Sequence, residues 1–316
     1  MSGRRVVAVS GGVGGAKLAL GLYSLLPAGT LSVVVNTGDD FTHLGLAISP
    51  DVDTTLYTLA GLANPDLGWG RRDESWAFLE TLESLGGETW FRLGDRDLAL
   101  HVERTRRLAE GEGLGAIIAD VARRWGIAAD IRPMSDDRVA TMVATDEGEL
   151  AFQDYFVRRR CAPRVTGIRF AGAETARPGP GVEALITAPE TEAILLCPSN
   201  PYLSLGPVLA VPGLRGALRR TKAPVIAVTP LIGGAAVKGP TAKIMADLGL
   251  EVSPLSVAAA YGDLLDGFLL DCRDAALAGA FALPVRVADT LMHTLDDRRR
   301  VAEAALDFAR ALAAAP

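Results

Sequence analysis

The sequence predicts an α/β fold: a mostly parallel sheet core with a smaller α+β region inserted into it. Three observations carry this. A β-branched run near the N-terminus, Arg5 to Val9, precedes a glycine-rich turn, a helical stretch and a second strand. The strand-then-loop pattern returns after residue 193. Between them lies a mainly helical stretch with one hairpin signal.

Arg5 to Val9 scarcely alternates, as a strand buried on both faces should not. Ser10-Gly-Gly-Val-Gly-Gly-Ala-Lys17 leads into Leu18, Leu22, Leu25 and Leu26 at helical spacing, stopped at Pro27. Leu31 to Val35 then closes a β-α-β unit. Its first loop is the expected place for phosphate: glycines let backbone N–H groups approach an anion, and the helix N-terminus adds partial positive charge. The run matches GxGxxG only loosely and lacks the spacing of GxxxxGK[ST]. Gly11, Gly12 and Gly14 therefore read as a generic nucleotide or phosphate contact.

The second strand ends in Asn36-Thr37-Gly38-Asp39-Asp40, and Ser49-Pro50-Asp51-Val52-Asp53-Thr54 follows. Ligands of open α/β sheets bind at such strand ends. Four aspartates within fifteen residues repel one another unless a cation joins them, so a divalent metal is a natural partner for Asp39, Asp40, Asp51 and Asp53. The bland alternative is a solvated acidic turn and an Asp N-cap for a helix starting near Thr54.

Helices are expected over Thr54 to Leu62, Glu74 to Leu85, Asp97 to Glu110 and Leu114 to Trp125. Thr141 to Ala144 and Leu150 to Val157 pair as a hairpin around Asp146-Glu147-Gly148. Pro178 to Gly181 marks the return to the core. Ala193 to Cys197 and Pro224 to Thr229 are short apolar strands, the first ending in Pro198-Ser199-Asn200-Pro201 and the second in Pro230-Leu231-Ile232-Gly233-Gly234. Both loops should share an edge with Asn36 to Asp40. An Ala-rich helix, Arg299 to Ala314, packs on the core or on a partner subunit. The core is thus residues 1–62 and 181–316, discontinuous, with 63–180 inserted.

The composition narrows the function. At 316 residues, with 49% hydrophobic and 22% charged, the chain has ample core. A net charge of −6 argues against a nucleic-acid binder held by counterion release. The basic clusters, Arg104 to Arg107 among them, read mostly as solvated faces. Cys161, Cys197 and Cys272 form no CxxC pair, which fits a reducing cytoplasm and neither a disulfide framework nor a zinc site. No apolar run is long enough to span a bilayer, and glycines and Lys17 interrupt any export-signal reading of the N-terminus. A cytoplasmic protein, with no nucleic acid and no membrane partner, is expected.

Taken together, the runs resemble the 2-phospho-L-lactate transferase family of coenzyme F-420 biosynthesis, from about Val7 to Met292. Matching segments are Ser10 to Leu18, Val33 to Asp40, Ile48 to Thr54, Leu93-Gly-Asp-Arg-Asp-Leu98, Pro133-Met-Ser-Asp-Asp137, Phe152-Gln153 and Pro198-Ser-Asn-Pro201. Gly206-Pro207, Lys238-Gly-Pro240 and Ala288-Asp-Thr-Leu-Met292 complete the series. The resemblance implies a Rossmann-like core, Mg²⁺ dependence, a homodimer, and transfer onto Fo (7,8-didemethyl-8-hydroxy-5-deazariboflavin) from a guanosine diphosphate-linked three-carbon acid. GMP leaves, and a form of F-420-0 results. It also implies that Asp53 and Arg92 contact Fo; some members carry Lys in place of Arg92, and the family pattern usually has Thr in place of Val13.

Such a transfer places charge on phosphoryl oxygens and calls for a metal and fixed donors. Asp39, Asp40, Asp51 and Asp53 are the candidate ligands, though Mg²⁺ takes only one or two carboxylates directly. Asp53 is expected near the ribityl hydroxyl as ligand or general base, with Asp39 and Asp40 beside the chemistry. Asn36, Thr37, Ser199 and Asn200 suit phosphate or guanine edges, and Lys17 and Lys238 the diphosphate charge. Trp69, Trp76 or Trp90 offers a stacking face, ordinary core packing being expected for at least two. Two rivals remain: a sugar-nucleotide-binding regulator of the gluconeogenesis-factor type without turnover, and an NAD(P)-dependent oxidoreductase. The choice among phospholactate, phosphoenolpyruvate and 3-phosphoglycerate donors is written in no motif.

Overall fold

The non-alternating runs become the centre of a parallel sheet. In the computed structural model, which describes residues 4–65, 68–236 and 239–314, β1 (Arg5–Ser10) is followed by α1 (Gly12–Leu25) and β2 (Leu31–Val35). A hairpin of β3 (Phe41–His43) and β4 (Leu46–Ile48) leads to α2 (Pro50–Leu59). Next come α3 (Ala77–Ser84), α4 (Asp95–Ala109), α5 (Leu114–Arg124) and β5 (Asp130–Pro133). An antiparallel set, β6 (Ala140–Thr145), β7 (Gly148–Ala151) and β8 (Val165–Ala171), precedes α6 (Val182–Thr187) and β9 (Thr191–Leu196). The chain continues through α7 (Gly206–Ala210), α8 (Pro212–Arg220), β10 (Val225–Val228) and the small hairpin β11 (Leu231–Ile232) and β12 (Ala235–Ala236). It ends with α9 (Thr241–Asp247), α10 (Pro254–Tyr261), β13 (Gly267–Asp271), β14 (Val285–Ala288) and α11 (Leu295–Ala313).

The main sheet has seven parallel strands in the order β14-β13-β10-β9-β1-β2-β5. Alternate residues feed opposite faces: Val6 and Ala8 join one apolar cluster with α1, α2, α5 and α11, while Val7 and Val9 join another with α6, α8 and α10. Strand order reverses between β1 and β9, so the loops after those strands flank the topological switch point. The mostly parallel core expected from the sequence is present. The stretch 63–180 contributes β5 to this sheet as well as the three-stranded sheet β7-β6-β8.

Several boundaries move for local reasons. α2 begins at Pro50, not near Thr54, because Pro fits the first helical turn and its missing N–H has no helical partner there. Asp51 and Asp53 therefore lie in the first turn, and neither is an N-cap. The strand expected to run from Leu150 to Val157 stops at Ala151; a π-helical turn over Asp154–Arg158 follows, directing Phe152 and Tyr155 into one small apolar cluster. α11 starts at Leu295, before the expected Arg299, because Thr294 and Asp297 form a reciprocal capping box. Its apolar face, including Val301, Ala305 and Phe308, is buried in the same cluster as Leu18 and Leu22 of α1. Gly21 permits the crossing, since a Cβ there would lie 2.2 Å from the Arg298 carbonyl oxygen.

Candidate active site

The C-terminal edge of β1, β2 and β9 gathers most of the expected residues. Ser199 fastens the first and last of these loops: its Oγ accepts from the Gly11 N–H (3.2 Å) and donates to the Gly11 carbonyl (2.6 Å). A Cβ on Gly11 would sit 2.6 Å from Ser204 Cβ, and one on Gly14 2.2 Å from the Pro198 carbonyl oxygen. These glycines thus let two loops interlock, and only Gly12 adopts a positive φ, +65°. Asn200 turns its Oδ1 onto the N–H groups of Tyr202 and Leu203, leaving its Nδ2 buried and unpartnered.

Asp51 reaches from α2 into the same junction. It accepts from Asn36 Nδ2 at 2.9 Å and from the Gly12 N–H. Burial pushes its carboxyl up to about 6. Asp39 is raised well above the usual carboxylate range, first by burial and then by the charges of Asp51 and Asp40. Asp40 is raised too, chiefly by burial; its Oδ2 accepts from Ser49 Oγ at 2.7 Å and its Oδ1 has no partner. Ser10 Oγ and Thr37 Oγ1 are likewise buried and unpartnered. Buried polar atoms are normally satisfied, so this concentration of orphans marks a place built for a ligand. Two desolvated carboxylates, one of them raised further by the other's charge, with a hydroxyl and amides nearby, fit a hard divalent cation held by Asp39 and Asp51.

A cavity of about 460 Å³ opens beside this acidic loop. Asp39, Asp40, His43, Trp90, Arg138 and Gln153 are among its lining residues. Thr141 Oγ1 donates to Asp39 Oδ1 at 3.5 Å, and Gln153 Nε2 to the Asp39 carbonyl at 3.3 Å, so the inserted sheet forms its far wall. Phe41 and Phe91 meet edge to face at 4.8 Å, as do His43 and Trp90 at 5.1 Å. None of the three tryptophans is a core residue: Trp90 is half-buried in this wall, Trp76 lies under Arg92, and Trp69 is exposed.

The structure does not bring all four aspartates to one point. Both oxygens of Asp53 are taken by Arg104, Nη1 to Oδ1 at 2.6 Å and Nη2 to Oδ2 at 2.9 Å. Asp53 is buried and does not line the cavity. Arg104 itself is 1% exposed, which corrects its reading as part of a solvated face. Arg92 is exposed, with its guanidinium 4.3 Å above the Trp76 ring. Lys17 donates to the Met292 carbonyl at 2.8 Å and so ties α1 to the segment before α11. Lys238 lies outside the described residues. Asp95 and Asp97 of the Leu93–Leu98 segment have separate structural partners. Asp95 accepts from the N–H groups of Ala77 and Phe78 at the start of α3, while Asp97 accepts from Tyr57 OH.

Sequence reasoning missed His43, Arg104, Arg138 and Thr141. The signal available for Arg104 was spacing: Asp97, His101 and Arg104 fall on one helical face. Arg138 lines the cavity, and no pattern in its flanks announces that.

The family profile described as 2-phospho-L-lactate transferase CofD matches residues 6–292. The chain belongs to this family. As a CofD-family transferase it is 42% identical over 315 residues to the Kitasatospora aureofaciens protein named Phosphoenolpyruvate transferase, covering 96% of this chain and 98% of that one. It is 40% identical over 301 residues to the 2-phospho-L-lactate transferase of Methanosarcina mazei, covering 94% and 98%. A crystal structure of a UPF0052-family protein from Bacillus halodurans superposes with a TM-score of 0.62 at 14% identity, over 97% of this chain and 99% of that one, which shows the shared fold.

Proposed function

We propose that this CofD-family transferase moves a phosphorylated three-carbon acid from its guanosine diphosphate-linked form to the terminal ribityl hydroxyl of Fo, releasing GMP. One observation carries the reading: the buried carboxyls of Asp39 and Asp51, both raised by desolvation, stand between an interlocked glycine loop and a 460 Å³ cavity with an aromatic wall. The Gly11–Ser199 junction, with the unpartnered Thr37 and Asn200 groups, suits the guanosine diphosphate moiety. The cavity beside Trp90 and Phe41 suits a planar deazaflavin. A bond then forms between the ribityl oxygen and the phosphorus carrying the acid, and the bond to the GMP oxygen breaks.

Asp39 and Asp51 would hold Mg²⁺, which when bound offsets charge on the phosphoryl oxygens. The chain's own residues do the orienting. Asn36 and the Gly12 N–H fix Asp51; Thr141 and Gln153 fix Asp39; Ser49 fixes Asp40 with one oxygen free at the cavity wall. A phosphoenolpyruvate-derived donor is put first, because relatives at 38–42% identity carry that name. We also infer a homodimer, from the family resemblance; the apolar face of α11 is spent inside the chain. Incubation with Fo, Mg²⁺ and each guanylylated acid tests the reading. Product mass names the acid, while guanosine nucleotide binding without turnover supports the regulator instead.

A further inference from the structure

The guanidinium of Arg104 touches three elements at once. From α4 it grips Asp53 of α2 through Nη1 and Nη2, at 2.6 and 2.9 Å. Its Nε donates to the Ala47 carbonyl of β4 at 3.0 Å, and the neighbouring Thr105 Oγ1 accepts the Ala47 N–H at 2.8 Å. Nη2 also lies 2.8 Å from His101 Nδ1. A guanidinium only donates, so Nδ1 accepts and the imidazole carries its proton on Nε2, 3.3 Å from Asp97 Oδ1. Ala47 pairs with Thr42 in the hairpin that continues directly from Asp39 and Asp40. One buried cation therefore fixes the first turn of α2, which carries Asp51, and the strand pair that walls the cavity.

We propose that Arg104 is a positioning residue for the transfer, acting through Asp53, and that His101 sets the plane of its guanidinium. This rests on the reading given above. Asp53 already meets two N–H groups, one on each oxygen, so its charge is committed to holding α2 and β4 in register. A bidentate fork inside a dry site keeps that register more tightly than a point charge does. Misplacement of reacting groups by about 1 Å costs on the order of 100-fold in rate.

The experiment is a double-mutant cycle on the full chain, measuring kcat, KM for Fo and the GDP dissociation constant for wild type, Arg104→Gln, Asp53→Asn and the double variant. GDP binding and wild-type turnover stand apart from the cycle, so failure of the functional reading shows there first. The expected result is a fall in kcat of on the order of 100-fold for each single variant. GDP affinity should stay within about twofold, and the double variant should be no slower than Asp53→Asn. Multiplying losses, or a near-normal kcat in Arg104→Gln, overturn the proposal. Should Arg104→Gln not fold, Arg104→Lys decides: its charge is kept and its fork is lost. A folded Arg104→Lys with reduced kcat and normal GDP binding supports positioning, and wild-type kcat overturns it. Because the chain has three histidines, ¹⁵N spectra give a readout independent of turnover. His101 should show its proton on Nε2, and a proton on Nδ1 contradicts the arrangement.

Discussion

Asp53 changes its meaning once its neighbours are known. Asp53→Asn removes charge at almost constant volume. In the structure it leaves the buried Arg104 guanidinium without its carboxylate, and breaking one half of a buried pair costs about 3–5 kcal/mol. Urea unfolding should show a loss of that size for Asp53→Asn; an unchanged midpoint would mean that solvent reaches Arg104. Asp51 is different, since its neighbours are the Asn36 amide and the Gly12 N–H, and burial costs it stability while charged. Its folded-state carboxyl near 6 lies above the ordinary 3.8, so its contribution to stability is complete below about 3.8 and is lost as pH rises through 6. Asp39 shifts in the same direction. Bound Mg²⁺ should compete with these protons, so the rise in Tm on adding Mg²⁺ should be larger at pH 7.5 than at pH 5. Equal shifts at both pH values would place the cation elsewhere. Asp51→Asn should abolish most of the difference.

At the scale of elements, the glycine loop is an interlock: its backbone packs directly against the loop after β9. Gly14→Ala drives a Cβ to 2.2 Å from the Pro198 carbonyl oxygen, a backbone atom that cannot rotate away. Overpacking of this kind costs about 1–3 kcal/mol, and it separates the loops after β1 and β9. GDP affinity should fall about tenfold or more in a calorimetric titration, with the far-ultraviolet spectrum retained. Gly29→Ala is the control, with open space at its Cβ and no contact with the site; its strain lies in φ, +79°, alone. The strands of the core and their loops were legible because burial on both faces leaves a non-alternating apolar run, as in Leu31 to Val35. The start of α2 was not, because proline reads as a stop although it fits a first turn. Nor was the end of β7, where a π-helical turn carries Phe152 and Tyr155 to the same cluster that a strand would have split between two faces. Among the candidate residues, the placement of Asn36, Asp39 and Ser199 in loops after strands was legible from the apolar runs before them. For Arg104 the helical spacing with Asp97 and His101 was visible but its burial was not, because that depends on a partner 51 residues earlier in the chain.

The whole molecule is a parallel sheet whose two halves diverge at the switch point, with the inserted sheet folded over one edge to close a cavity. Among the described residues no helix is long and apolar enough to cross a membrane. They also hold one group of three potential ligand side chains within 4.8 Å, Asp271, Cys272 and Asp289, and Arg273 already bridges its two carboxylates at 3.0 and 2.9 Å. The glycine-rich loop after β1, the buried Asp39 and Asp51 and the cavity thus meet at the end of β2, where the proposed transfer is placed. The decisive measurement is a Mg²⁺-dependent assay of the full chain with Fo and each guanylylated three-carbon acid, following GMP release and product mass. We expect GMP and a dehydro or saturated F-420-0 in equal amounts from one donor, with phosphoenolpyruvate's derivative first, and no release when Fo is omitted. Folded protein that binds GDP yet forms no product with any of the donors would contradict it.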